Sequence, residues 1–125
     1  LERVLGKKTT FRRTSLAGVA PSKSHNSLYY ADAAGKEFGV SVQIWHDRNL
    51  VDSRARYNTM RSTYSDVVET NRVTAQGFRA FYGSVVTLVF ADARRPMVAA
   101  VSCSTRYCDA DSVIELSRRV AGRMR

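Results

Sequence analysis

The stretch Gly83-Ser84-Val85-Val86-Thr87-Leu88-Val89-Phe90-Ala91-Asp92-Ala93-Arg94-Arg95-Pro96-Met97-Val98-Ala99-Ala100-Val101-Ser102-Cys103, followed by Cys108 and an amphipathic segment to Arg125, decides the fold. Residues 84–90 and 97–103 are apolar, β-favouring runs, and the polar residues 92–96 between them end on Pro96. Short apolar runs bounded by turn residues read as buried, paired strands. After them comes a helix capped by Asp109 or Asp111, with Val113, Leu116/Ser117, Val120 and Met124 on its buried side. Acidic residues at its start and arginines at its end both complement the helix dipole.

Cys103 and Cys108 stand at this strand-to-helix junction with four residues between them. A redox-active pair commonly has two intervening residues at a helix N-terminus. Zinc would need two more ligands, and only His25 and His46 are present to supply them, at no recognised spacing. A structural disulfide is the reading preferred over a redox pair, half a metal site or two unrelated thiols, and it points to an oxidising compartment. Closing so short a loop stabilises by about 2 kcal/mol on the chain-entropy estimate.

Working outward, the segment 37–46 carries the cleanest period-two signal. Phe38, Val40, Val42 and Ile44 alternate with Glu37, Ser41, Gln43 and Trp45. A strand over 27–31 (Leu28, Tyr29, Tyr30) and a tight turn over 32–35 should pair with it as an antiparallel hairpin. Before these come a short helix through Leu1, Val4 and Leu5 closed by Gly6, a strand over 9–16, and a loop over 18–25 around Pro21. After them, Asp52 or Ser53 caps a helix running to about Tyr64. Tyr57, Met60, Tyr64 and Val67 fall on its inner face, and Arg54, Arg56 and Arg61 point to solvent. A fourth strand is expected over 67–75, and 77–82 leads into the central pair. The order α-β-β-β-α-β-β-β-α makes 1–125 a single α+β domain, an α/β/α-type sandwich with a mostly antiparallel sheet.

The entry Leu5-Gly6, the hairpin Leu28-Tyr29-Tyr30 … Glu37-Phe38-Gly39-Val40-Ser41-Val42-Gln43-Ile44-Trp45, and Val85-Val86-Thr87-Leu88-Val89-Phe90 turning into Val98-Ala99-Ala100-Val101-Ser102-Cys103 carry a likeness in patterning. With its closing helix the chain resembles the PsbP-like fold of small exported bacterial proteins and lipoproteins. That resemblance implies an extracytoplasmic accessory module, docking on a larger membrane-associated assembly without chemistry of its own. It carries over no binding residue position by position. The chain opens at Leu1, which reads as a processed or trimmed chain with room upstream for an export signal or lipid anchor.

Twenty basic residues, sixteen of them arginine, against eleven acidic give a net charge of +9. Such a balance favours an acidic protein, an anionic membrane or nucleic acid. The enrichment of arginine over lysine fits a high-GC genome equally well. No run reaches the five or six like charges of a basic tail. Tyr29, Trp45, Arg54, Arg56, Arg61, Arg94 and Arg95 are the candidate partner-binding residues, because Trp, Tyr and Arg dominate interface hot spots.

No P-loop, dinucleotide or nucleophile-elbow motif is present, and no cofactor or metal is expected. His46 beside Asp47 would need a serine within hydrogen-bond reach to act as a catalytic base. The expected function is a non-enzymatic, periplasmic or extracytoplasmic binding module, an accessory subunit with a basic surface. The alternative is a cytoplasmic nucleic-acid binder using Tyr29, Tyr30, Trp45, Phe78, Phe81 and Tyr82 as a stacking platform.

Overall fold

The computed structural model describes residues 11–14, 25–32, 38–92 and 94–123, with side chains from residue 39 onward. The expected N-terminal helix, the loop around Pro21, the turn at Gly35, and Met124 lie outside the described residues. Seven strands follow in chain order: β1 Phe11–Thr14, β2 His25–Asp32, β3 Phe38–His46, β4 Val68–Glu69, β5 Gln76–Tyr82, β6 Val85–Ala91 and β7 Met97–Ser104. Two helices complete the described fold, α1 Leu50–Thr63 and α2 Ala110–Arg123.

The strands form one sheet in the order β1-β2-β3-β7-β6-β5-β4, with every neighbouring pair antiparallel. Two meanders, β1 to β3 and β4 to β7, are zipped together along β3 and β7, and α1 lies in the connection between them. The last strand thus ends in the middle of the sheet, with Val40 opposite Cys103 and His46 opposite Met97.

The helices cover opposite faces. Val86, Leu88, Phe90, Ala99, Val101 and Cys103 join Val40 in the core that packs on Val113, Ile114, Leu116 and Ala121 of α2. The alternate residues Val89, Ala91, Val98 and Ala100 join Phe78 and Ala80 in the core beneath Tyr57 of α1. Strands covered on both faces need apolar residues at every position, and this is why 85–91 and 97–101 read as continuous apolar runs. The α+β sandwich expected from the sequence is the observed architecture.

The expected order is inexact between the helices. Only Val68–Glu69 of the segment 67–75 pairs as a strand, whereas 76–82 is a full strand rather than a lead-in. Packing decides this. Phe78 and Ala80 are fully buried under α1, and Gly77 runs so close to its neighbours that a Cβ would meet the Val89 and Thr70 carbonyl oxygens at 3.2 and 3.3 Å. Strand β2 begins at His25, which the sequence placed in a loop; of the strand expected over 9–16, Phe11–Thr14 is the described part, and the rest lies outside the described residues.

Helix α1 also starts earlier than expected. Its N-cap is Asn49, whose Oδ1 accepts the Asp52 N–H at 2.9 Å, so Leu50 and Val51 form its first turn. Asp109 caps α2 in the same way, accepting the Ser112 N–H at 2.8 Å. These hydrogen bonds hold the Asp109 carboxyl below its ordinary pKa.

Candidate docking surface at one end of the sheet

Five of the sequence-selected residues come together where β3 ends, α1 begins and β6 turns into β7. The Asp47 N–H donates to the Pro96 carbonyl at 2.7 Å, tying the end of β3 to the 92–96 turn. The turn is itself fixed by Asp92, whose Oδ1 accepts the Arg94 and Arg95 N–H groups at 2.8 and 3.1 Å. A short polar side chain holding its own backbone in this way is a common turn-forming device. Arg94 and Arg95 are thereby held exposed on the turn whose Pro96 meets Asp47, three residues ahead of α1.

Arg56 does not point freely to solvent, as the helical pattern alone suggested. Its guanidinium is 5.6 Å from the Trp45 ring centroid and donates to both Asp47 carboxylate oxygens, at 3.0–3.2 Å. The physical reason is the turn at residues 47–49, which brings Asp47 back under α1. Trp45 packs against the α1-side core, so that face is covered by a helix and the indole is half-buried. Arg56 and Trp45 are therefore a structural clasp more than an open contact surface.

What remains outermost at this end is Arg54 and Arg94, which make no ion pair among the described residues, Arg95, and Arg48, paired with Asp52 at 3.3 Å but 89% exposed. Between them Leu50 and Val51 are 45% and 75% exposed. The sequence reasoning missed Arg48, Leu50 and Val51. The available signal was an apolar pair directly after an Asn cap and flanked on both sides by arginine.

The other candidates lie elsewhere. Arg61 sits at the far end of α1, paired with Glu69 at 2.8 Å in an open cleft of about 780 Å³ lined also by Tyr57, Asn58, Asn71 and Arg72. Arg72 in turn pairs with Asp111 of α2 at 3.2 Å, so each cleft arginine already has a carboxylate partner. Burial, and secondarily Glu69, push the Tyr57 hydroxyl above its ordinary pKa, with Arg61 opposing. Tyr29 lies in β2 opposite Ser41; its side chain lies outside the described part.

The aromatic residues do not share one platform. Phe78 is buried against Tyr57 and Tyr64, with ring centroids 5.5 and 5.9 Å away. Phe81 and Tyr82 are exposed at the opposite end of the sheet from Trp45, Phe81 lying beneath Arg79 at 5.3 Å. His46 is exposed at the end of β3, with no hydrogen bond to a serine among the described residues.

Cys103 and Cys108 form a disulfide, with Cα atoms 6.0 Å apart, which joins β7 to the segment entering α2. Both residues are buried in the α2-side core, and the Tyr107 and Cys108 N–H groups donate to the Ser104 carbonyl at 2.9 and 3.0 Å. No described helix is long and apolar enough to cross a membrane. No protein-family model, curated protein or solved structure matches the chain.

Proposed function

We propose that this chain is an exported, envelope-associated binding module without chemistry of its own, acting as an accessory subunit of a larger membrane-associated assembly. The single observation that carries the reading is the Cys103–Cys108 disulfide, which uses both cysteines of the chain and is buried in its core. Disulfides persist in oxidising compartments and are rare where thiol reductants dominate. The PsbP-like patterning and the net charge of +9 support the same reading. The docking face is the arginine-bearing end of the sheet around Arg54 and Arg94, since Arg61 is neutralised by Glu69 and Arg56 by Asp47.

The test is location. The full-length protein, produced in its native host, should be accessible to external protease in spheroplasts and should fractionate with the envelope. Recovery in the cytosol, fully protected, would overturn the reading. Cytosolic protein retained on RNA or single-stranded DNA at low salt, and released steeply as salt rises, would establish the nucleic-acid alternative instead.

A further inference from the structure

We infer that the first turn of α1 and the β6–β7 turn together form a docking tip for an anionic lipid bilayer. Leu50 and Val51 would enter the headgroup–acyl boundary, and Arg54 and Arg94 would meet lipid phosphates. This rests on the reading of the chain as an envelope-associated module and names the partner of that same surface.

Three observations carry the inference. Two aliphatic side chains stand exposed at a helix start instead of being folded inward, although α1 has an apolar face available at Tyr57, Met60 and Tyr64. The Asn49 cap holds them there, because it fixes where the helix begins. The surrounding cations belong to two segments joined by the Asp47–Pro96 hydrogen bond, so they stand at one end of the sheet.

The local acids are largely engaged. Asp47 is held by Arg56, Asp92 by the N–H groups of its own turn, and Asp52 by Arg48. His46, exposed at the end of β3, adds no negative charge. The surface beyond these pairs is cationic, complementary to anionic headgroups, and guanidinium suits phosphate through paired hydrogen bonds.

A bilayer fits this tip better than a protein does. Leucine and valine are under-represented among protein-interface hot spots. A protruding aliphatic pair ringed by arginine is instead the composition of interfacial membrane anchors, which combine apolar insertion with attraction to anionic lipid.

The full chain should co-sediment with vesicles of phosphatidylcholine mixed with phosphatidylglycerol, much less with pure phosphatidylcholine, and less at high salt. Arg54→Glu and Arg94→Glu should each weaken binding by roughly fivefold or more, reflecting the contribution of one basic residue near an anionic surface. Val51→Asp should weaken it about tenfold or more, through lost apolar insertion together with repulsion of the new carboxylate by anionic lipid. All three positions are exposed, so each variant should keep the wild-type melting temperature.

Absence of vesicle binding, equal binding to both vesicle types, or binding unaffected by Val51→Asp would overturn the lipid tip. An envelope-located protein that fails on vesicles but binds an acidic protein through Arg54 and Arg94 would do the same while leaving the location intact. A cytosolic location would defeat the underlying reading instead, and it is measured separately by fractionation.

Discussion

Arg56 and Asp47 form a two-pronged ion pair across the start of α1, with Nη2 and Nε donating to the carboxylate at 3.0–3.2 Å. The Asp47 side chain is only 9% exposed, so most of its hydration has been replaced by this one partner. Removing the arginine would strand a largely buried charge. Arg56→Ala should therefore cost about 1–2 kcal/mol, within the range for leaving a buried polar group unsatisfied. Arg56→Lys should recover only part of this, because an ammonium cannot reproduce the planar fork. Urea midpoints at unchanged m-value are the measurement; an unshifted midpoint for Arg56→Ala would show that the clasp contributes nothing.

Phe78 anchors α1 to β5. It is fully buried, meets Tyr57 edge to face at 5.5 Å, and lies 5.9 Å from Tyr64. Phe78→Ala should destabilise by about 3–5 kcal/mol through lost contacts and the cavity left behind. Tyr82, two strand repeats away on the same strand, is 77% exposed, and Tyr82→Ala should stay within about 0.5 kcal/mol of wild type. Equal losses at both positions would contradict the assignment of 76–82 as a strand buried at Phe78 and Ala80.

The β5–β6 hairpin closes through Gly83 and Ser84, with Gly83 at φ +59°. A Cβ there would meet nothing within 4 Å, so the cost of a side chain is conformational and not steric crowding by neighbours. Gly83→Ala should destabilise by about 1 kcal/mol, and Gly83→Asn by less, since asparagine tolerates the left-handed region. Thermal melts of the two variants would decide the order.

The cap of α2 gives a pH dependence with a definite sign. The Ser112 N–H bonds hold the Asp109 carboxyl below its ordinary pKa. A depressed folded-state value contributes stability above the unfolded value, and that stability disappears as pH falls through the folded value. Asp109→Asn keeps the acceptor while removing the titration. The stability difference between wild type and Asp109→Asn should therefore shift toward the variant as pH drops below the ordinary carboxylate range. Parallel melting profiles across that range would contradict it.

The interior of this fold was legible in the sequence because its physics is local. Residues 85–91 and 97–101 are apolar at every position because both sheet faces are covered, and Asp109 announces α2 by its capping chemistry. The strand β5 was harder to see. Its buried residues Phe78 and Ala80 alternate with Arg79, and only packing against α1 separates that pattern from a loop. The start of α1 was misjudged because Asn49, Asp52 and Ser53 are all competent caps, and the choice falls to the one whose geometry suits the turn after β3.

The sequence offered Trp45, Arg54, Arg56, Arg94 and Arg95 as candidates, but not their meeting at one end of the sheet. Arg48 and Arg54 lie some forty residues from Arg94, and only the β3–β7 pairing brings the two segments together. Arg61, grouped with Arg54 and Arg56 by helical spacing, is carried instead to the opposite end of α1, where Glu69 meets it.

The state of the two sulfur atoms in living cells tests the account most directly. Full-length protein in its native host should be treated with a membrane-permeant, mass-tagged maleimide before lysis and weighed intact. The account predicts no tag on Cys103 or Cys108 without reductant, and two tags after reduction and unfolding. Both cysteines tagged before any reductant is added would contradict it.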